Sequence, residues 1–153
     1  LPSSASADET AEVIISAYCQ REGVSLTHTV GDSAFYCPST DAITLPKRSQ
    51  FTATAEYYST AFHELTHSTG HSKRLNRLSE TAFFGSEAYS KEELIAEIGA
   101  AALVNHVGLE TSHSLRNSAA YIQNWLAVLK NDKRFIVSAS GKADKAISLI
   151  LGC

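Results

Sequence analysis

The segment FHELTHSTGH, residues 62–71, contains the pattern H-E-x-x-H, which constrains the fold more than any other part of the chain. On an α-helix, His63 and His67 lie one turn apart on the same face, and Glu64 lies slightly further round the helix. Two imidazoles at that spacing can bind one Zn²⁺, while the glutamate reaches a water at the metal without being a ligand. The segment therefore predicts a helix that presents a metal site.

The residues around this pattern have the periodicity of a helix with one buried face. Tyr58, Phe62 and Leu65 recur at helical spacing, and the helix is predicted over residues 52–69 with Gly70 at its end. The alternative is an ordinary helix with a histidine-rich polar face and no metal. The apolar residues on the opposite face favour the metal site.

A second helix supplies candidates for a third ligand. In SKEELIAEIGAAAL, residues 90–103, every position from Leu94 onwards is apolar or glycine except Glu97. A helix that is apolar on every side is buried, and a buried carboxylate is costly unless it is paired or coordinated. Glu93 and Glu97 share a face, so one could bind the metal while the other accepts the N–H of a ligand histidine.

The spacing alone leaves the roles of these two glutamates open. Residues 90–93 also have the S-x-x-E form of a capping box, in which Glu93 would bond back to the Ser90 backbone and Glu97 would be the ligand. Glu92 points to another side of the helix and is expected to be solvated.

His71 is too far along the first helix to complete the site. On a continuous helix it lies about 12 Å from His63 along the axis. The metzincin pattern, with its third histidine ten places after the first, is excluded because Lys73 stands there. We expect His71 at the helix end, where it would support a ligand rather than bind the metal.

The remaining patterns predict a small sheet and further helices. Three short β-like runs, separated by turn residues, are typical of an antiparallel meander. The predicted elements are a flexible lead or linker at 1–9, a helix at 11–21, strands at 24–29, 34–37 and 42–45, a loop at 73–89, and helices at 90–107, 114–129 and 133–151, where Gly141 favours a break. We therefore expect an α+β fold, with the meander packed on a mainly helical domain over residues 10–153.

The composition indicates one folded domain and argues against several kinds of protein. Of the 153 residues, 44% are hydrophobic and 19% are charged, as in globular domains. A net charge of −3 argues against a general nucleic-acid binder, and the basic stretch at 71–77 is interpreted as a solvated loop. Three cysteines without paired spacing favour a reducing interior, and no segment has the pattern of a signal peptide or a membrane span. These features predict a cytoplasmic protein.

The pattern H-E-x-x-H followed on a second helix by E-x-x-x-E resembles the gluzincin metallopeptidases. In that family the first acid of the second motif is the third metal ligand, and the second acid, an aspartate, supports a ligand histidine. The resemblance implies that Glu93 is the ligand and Glu97 the support. Glu97 departs from the aspartate of the family.

Three longer segments resemble the C-terminal metallopeptidase domain of ArdC-type antirestriction proteins and of polyvalent proteins from phages and conjugative elements. They are YYSTAFHELTHSTGHSKRLNR, FGSEAYSKEELIAEIGAA and AAYIQNWLAVLKNDKRFI, within a likeness over residues 41–151. The resemblance implies a zincin-like fold and a role in protecting incoming DNA in a bacterial cell. It also implies that DNA is bound through a separate N-terminal domain of the parent protein. The family usually has an aromatic residue where this chain has Ser68.

These features together predict a zinc endopeptidase. His63, His67 and Glu93 would hold Zn²⁺ with one position open for water, and Glu64 would take the proton of that water and pass it to the leaving amine. The alternative is a non-proteolytic binding module with a structural metal, acting by contact with DNA or a restriction enzyme. An intact Glu64 favours the peptidase, because a structural site does not need it.

Two further features of a peptidase have weaker candidates. The developing oxyanion needs a second electrophile besides the metal, for which Tyr89 is the first candidate and His113 and Tyr121 are weaker ones. A peptide substrate would pair with an edge strand of the meander, either 34–37 or 42–45. The oligomeric state is not predicted.

Overall fold

The computed structural model describes residues 6–78 and 86–153, and within these ranges the chain forms five α-helices and three β-strands. The helices are α1 (Glu9–Glu22), α2 (Thr54–Ser68), α3 (Glu87–His106), α4 (Ser112–Val128) and α5 (Lys133–Leu151). The strands are β1 (Ser25–Thr29), β2 (Phe35–Cys37) and β3 (Ala42–Pro46). The predicted α+β class is confirmed.

β3 is the central strand of a mixed sheet with the order β1-β3-β2. It runs parallel to β1 and antiparallel to β2. The prediction of an antiparallel meander is therefore wrong, and so is that of residues 42–45 as an edge. β3 takes the centre because Ile43 and Leu45 are almost fully buried, whereas β1 exposes most of its side chains.

α3 begins three residues earlier than the sequence predicts. The described chain resumes at Ser86. Residues 79–85 of the predicted loop, with Gly85, lie outside the described residues. Ser86 caps the helix, since its hydroxyl accepts the N–H of Tyr89 at 3.1 Å. Ser90 lies inside the helix, and its hydroxyl donates to the Ser86 carbonyl at 3.0 Å. The alternative of a capping box at Ser90 is therefore not formed.

The predicted lead at 1–9 lies partly outside the described residues. Its described part is fixed against α2, because the N–H of Ser6 donates to Thr54 Oγ1 at 3.1 Å and that of Asp8 donates to Tyr58 Oη at 2.9 Å. α1 starts directly after Asp8, whose carboxylate caps it.

Two apolar clusters hold the helices around α2 and α3. The larger joins the sheet, α1, α2, α3 and the end of α5, and includes the predicted core residues Tyr58, Phe62 and Leu65, each 0% exposed. The smaller joins α3, α4 and α5. α5 is continuous through Gly141, where the sequence favours a break. Among the described residues, no helix combines the length and the apolarity that a membrane span requires.

Candidate metal centre

α2 and α3 bring two histidine rings and one carboxylate together. The Nε2 atoms of His63 and His67 lie 3.1 Å apart, and Glu93 reaches each of them with a different oxygen, at 3.1 Å in both cases. One ligand atom from each of the three residues lies within 4.8 Å of the others. The three side chains are 13–16% exposed, so the group is largely shielded but open on one side.

The other ring nitrogens are held by two more carboxylates, which leaves both Nε2 atoms available for a metal. His63 Nδ1 lies 3.2 Å from Glu97, and His67 Nδ1 lies 2.8 Å from Glu92. Because a carboxylate accepts the Nδ1–H of each ring, the lone pair of a neutral ring is on Nε2. Two such lone pairs facing each other repel unless a cation or a proton lies between them. The donor set of two imidazoles and a carboxylate fits Zn²⁺.

Without a metal, the two histidines hold their protons tightly. Burial lowers the pKa of both histidines, but hydrogen bonds to the glutamates outweigh it and raise the pKa of His63 to about 10 and that of His67 to about 9. Burial raises the pKa of Glu93, whereas its bonds to both histidines lower it further than burial raises it. A metal must therefore displace bound protons.

Glu92 is held in place by Arg77, from the segment after α2. Arg77 donates to both oxygens of Glu92, at 3.0 and 3.2 Å, and its other donors reach Thr69 Oγ1 at 2.9 Å and the Thr66 carbonyl at 2.7 Å. The Arg77 side chain is only 9% exposed. The expectation of a solvated Glu92 is wrong, and so is that of a solvated loop at 71–77 as far as Arg77 is concerned.

Gly99 allows α2 and α3 to approach closely enough for these contacts. A Cβ at this position would lie 2.7 Å from Oγ1 and 2.8 Å from Cγ2 of Thr66, which is 0% exposed. Non-bonded atoms do not tolerate such distances, so only glycine fits. Glu93 and Glu97 precede Gly99 on the same helix, and the close contact keeps both within reach of the rings.

Glu64 lies in the same cleft beside the three grouped residues. It is 7% exposed, and no hydrogen bond ties its carboxylate to any other residue in the described part of the chain. Burial raises the pKa of Glu64 more than the positive charges of His63 and His67 lower it. The group is thus a buried carboxylate that faces the cleft and has raised proton affinity.

Tyr89 also lines the cleft, from the first turn of α3. Its hydroxyl hydrogen-bonds Glu93, and its ring packs edge-on against Trp125 with the centroids 5.7 Å apart. Burial, followed by the charges of Glu93 and Glu64, raises the pKa of Tyr89. The phenol therefore stays protonated at neutral pH and can act as a donor.

Three other predicted residues lie away from the grouped ligands. His71 follows the end of α2, and its Nδ1 accepts the N–H of Lys73 at 3.0 Å. His113 faces Glu56 at 3.9 Å, and Tyr121, 55% exposed, lines a separate pocket along α4. The structure therefore shows none of the three in contact with the grouped residues, because the chain turns away after α2 and because His113 and Tyr121 lie beside residues 55–60 of α2.

An open cleft of about 620 Å³ separates the grouped residues from β2. Among the described residues β2 is an edge strand, since only β3 pairs with it there. The predicted edge at 34–37 is thus the one beside the site. The apolar part of the lining consists of Ala34, Phe35, Tyr36, Pro38, Leu78 and Tyr89.

Comparison with solved structures finds the same arrangement of the chain in an antirestriction protein. The Mn(II)-bound crystal structure of antirestriction ArdC protein from the R388 plasmid is 37% identical to this chain, with a TM-score of 0.76, over 97% of this chain and 53% of that one. Its metal-free structure is 38% identical, with a TM-score of 0.72, over 96% of this chain and 51% of that one.

Curated relatives are much longer than this chain. Two proteins of Escherichia coli named DNA primase TraC are each 43% identical, over 94% and 95% of this chain, which spans only 9% and 13% of their lengths. An uncharacterised protein of Sinorhizobium fredii is 34% identical over 84% of this chain.

The cofactor and the family follow from these observations. The His-His-Glu group and the Mn(II) in the ArdC relative indicate a divalent metal, for which the donor set suits Zn²⁺. The family model described as zincin-like metallopeptidase matches residues 12–142, most of the chain. This chain belongs to that zincin-like metallopeptidase family.

Proposed function

We propose that the chain is a metal-dependent endopeptidase domain of the gluzincin type. The observation that carries the proposal is the state of Glu64, a carboxylate that is 7% exposed and not hydrogen-bonded to another described residue. No buried side-chain nitrogen or oxygen of the described residues lacks a hydrogen-bond partner, so the Glu64 oxygens open onto the cleft, where a purely structural metal site would not need a carboxylate. A proton-transfer role accounts for both its position and its raised pKa.

His63, His67 and Glu93 would hold the metal, with Glu97 and Glu92 orienting the two rings. A divalent metal bound there supplies Lewis-acid polarisation of a carbonyl and acidifies water. The orienting carboxylates keep each ring in the tautomer that presents Nε2 to the metal.

Glu64 then acts as the general base towards water and as the general acid towards the leaving amine. Its burial makes this exchange effective, because a carboxyl with raised proton affinity accepts a proton more readily at neutral pH. Tyr89, in the wall of the same cleft, would exchange its hydrogen bond to Glu93 for one to the oxygen that gains negative charge.

The substrate is proposed to be a peptide segment in extended form, added to the free edge of β2. Phe35 and Tyr36 of that strand line the same cleft as His63, Glu64 and His67 of α2. The apolar lining suits apolar side chains near the scissile bond. Three carboxylates in the lining, Glu64, Glu92 and Glu93, disfavour acidic ones.

The biological setting is proposed by likeness. The ArdC relative is named an antirestriction protein from a plasmid, and this chain covers about half of it. By analogy the domain would serve a mobile element in the bacterial cytoplasm and would cut a protein, with DNA bound by a separate part of the parent protein. The alternative is that it acts without proteolysis, by contact with DNA or a restriction enzyme.

Variants of two glutamates on α2 test the proposal. Glu64→Gln should lower the cleavage of a quenched-fluorescent peptide library roughly 10²–10⁴-fold. It should still bind one equivalent of zinc. Glu56→Gln, at a half-buried position outside the cleft on the same helix, is the matched control and should cleave like the parent. The peptidase proposal fails if zinc-loaded parent and Glu64→Gln cleave equally, or if neither cleaves any member of the library.

A cellular assay separates the two modes of action. If the parent protein carrying Glu64→Gln still protects incoming DNA from restriction, while binding metal normally, protection does not use proteolysis. Loss of protection in Glu64→Gln, with Glu56→Gln unaffected, supports the peptidase.

A further inference from the structure

Arg74, in the segment after α2, is a buried arginine whose guanidinium contacts three separate parts of the chain. Its side chain is only 2% exposed, so the expectation of a solvated loop is wrong for Arg74 as well. Nε donates to the Ser68 carbonyl at 2.8 Å, Nη1 donates to the Glu22 carbonyl at 3.1 Å, and Nη2 donates to the carboxylate of Asp41. These acceptors belong to the last residue of α2, the last residue of α1 and the turn between β2 and β3. One side chain therefore joins all three.

Asp41 extends this connection to the wall of the cleft. Its carboxylate also accepts a hydrogen bond from Tyr36 Oη at 2.6 Å. Tyr36 is the middle residue of β2, and it lines the cleft together with the proposed ligand His67. α2 ends one residue after His67. A continuous chain of hydrogen bonds therefore runs from the end of the metal helix through Arg74 and Asp41 to Tyr36.

The position of β2 depends strongly on this connection. The strand has only three residues, Phe35–Cys37, and within the described chain only β3 pairs with it. Of these three residues, Tyr36 is the one that packs against the larger apolar cluster, whereas Phe35 is 48% exposed. Tyr36 therefore anchors the strand, and the hydrogen bond to Asp41 fixes the outer end of that anchor.

An arginine suits this position because its donors form a rigid planar fork. Two of its acceptors are carbonyls at the negative ends of helices, and the third is a carboxylate that compensates the buried charge. Lysine carries the same charge, but its donors all come from one nitrogen, and it lacks the fork that spans three separate acceptors. Arg74→Lys therefore removes the connection while it preserves the charge.

We propose that Arg74 is a positioning residue, which fixes the distance between β2 and the metal helix α2 and so the width of the cleft for an extended peptide. The inference deepens the proposed function and rests on it, because the occupant of the cleft is the proposed peptide substrate. None of the contacts of Arg74 within the described chain is with a proposed metal ligand, and the two ligand rings are held by Glu92 and Glu97. Replacing Arg74 should therefore change the affinity for a peptide and leave the metal in place.

Two zinc-chelating probes test this on Arg74→Lys without requiring turnover. Acetohydroxamate and a tripeptide hydroxamate with apolar side chains bind zinc through the same group, but only the tripeptide is long enough to reach β2. Calorimetry on the zinc-loaded parent should show that the tripeptide hydroxamate binds more tightly. In Arg74→Lys its affinity should fall roughly fivefold, equivalent to about one backbone hydrogen bond. The affinities for acetohydroxamate and for zinc itself should not change.

A second variant and a matched control keep the test decisive. Tyr36→Phe removes only a hydroxyl from the chain of hydrogen bonds and keeps the ring, so it serves even if Arg74→Lys does not fold. It should weaken the tripeptide hydroxamate in the same direction. Arg21→Lys is the control, because Arg21 also donates to a carbonyl near the end of a helix, that of Leu149, and lies outside the lining of the cleft. It should bind both hydroxamates like the parent.

Several results would overturn the inference. One is a parent that binds the tripeptide hydroxamate no better than acetohydroxamate, and another is unchanged tripeptide binding in Arg74→Lys and Tyr36→Phe. A parallel loss for both hydroxamates would place the effect at the metal, and an equal loss in Arg21→Lys would make it a general effect on stability; either refutes a positioning role.

Cleavage assays separate this inference from the proposed function. A parent that binds the tripeptide hydroxamate in the expected way but cleaves no peptide refutes the peptidase and leaves the role of Arg74 in the cleft standing. Where the parent does cleave, Arg74→Lys should raise KM roughly fivefold with kcat unchanged, as expected for the loss of an interaction that holds substrate and transition state equally. A fall in kcat at constant KM would contradict the inference.

Discussion

Replacing Gly99 with alanine should weaken metal binding, because it increases the distance between α2 and α3. The new Cβ would lie 2.7 Å from Oγ1 and 2.8 Å from Cγ2 of Thr66. Rotating Thr66 does not relieve both contacts, because its Cβ carries both atoms. Against a normal separation of about 3.5 Å, α3 must move away from α2 by roughly 0.7 Å.

The effect on stability should be modest and the effect on the metal larger. Overpacking costs about 1–3 kcal/mol, and replacing a helical glycine offsets up to about 1 kcal/mol of this. A net loss of about 1 kcal/mol lowers Tm by roughly 2–4 °C in a chain of this size. A shift of roughly 0.7 Å exceeds the tolerance of about 0.2 Å for metal–ligand distances, so we expect zinc affinity to fall at least tenfold.

Competition with a chromophoric chelator measures the affinity, and thermal melting in excess chelator measures the stability. Gly99→Ala/Thr66→Ala should restore both, because it removes the obstructing atoms. The Thr66 hydroxyl donates only to the Phe62 carbonyl of its own helix, so its loss leaves no buried donor unpaired. Zinc affinity within twofold of the parent in Gly99→Ala, or no recovery in the double variant, would refute this reasoning.

Three other perturbations have expected outcomes. Arg77→Met removes the guanidinium from buried Glu92 but leaves its hydrogen bond with His67, so it should cost about 1–3 kcal/mol in urea unfolding, most of it recovered in Arg77→Met/Glu92→Gln; an unchanged unfolding midpoint would contradict the interior role of Arg77. Removing the metal should leave a cooperatively folded protein, because the apolar clusters are separate from the site. Zinc at 100 times its Kd should raise the free energy of unfolding by about 2.7 kcal/mol. A non-cooperative melt without metal would refute the expected independence of the fold from the metal. Burial raises the pKa of Asp41, but hydrogen bonds from Tyr36 and Arg74 outweigh it and lower that pKa. Asp41 therefore stabilises the fold above its unfolded pKa of about 3.9, and this stabilisation is lost as the pH falls through the lower folded pKa. Asp41→Asn should flatten the dependence of unfolding free energy on pH in that window. An unchanged pH profile would contradict the lowered pKa.

The features of the site that depend on local periodicity could be predicted from the sequence. A spacing of four residues puts His63 and His67 on one face of a helix. The apolar residues around Glu97 identify it as a buried carboxylate. The assignment of metal-ligand roles to His63, His67 and Glu93 stays a prediction, which the geometry supports by grouping these residues.

Features that depend on contacts between distant segments could not be predicted in the same way. Glu92 is one position from Glu93 and therefore faces another side of α3. Its partner there, Arg77, comes from the segment that follows α2. A helical wheel contains no information about that segment. The only signal was Arg77 itself, a cation in the stretch 71–77 whose partner was unknown.

The order of the strands could not be predicted for a related reason. Short runs with turns between them are compatible with several pairings, and the choice depends on which strand buries most. The inward-facing Ile43 and Leu45 put β3 in the middle. This left β2 as the edge beside the cleft.

The length of that edge limits how the proposed peptide substrate could be held. β2 spans only Phe35–Cys37 and is followed by Pro38 in the turn. A three-residue edge offers a free peptide few backbone hydrogen bonds, each worth only about 1 kcal/mol net. Cleavage of a dissolved peptide should therefore require high substrate concentration. A substrate tethered nearby, by another module or by a shared strand, would be present at an effective concentration in the millimolar range. Under those conditions proximity, rather than recognition by β2, would select which protein is cut.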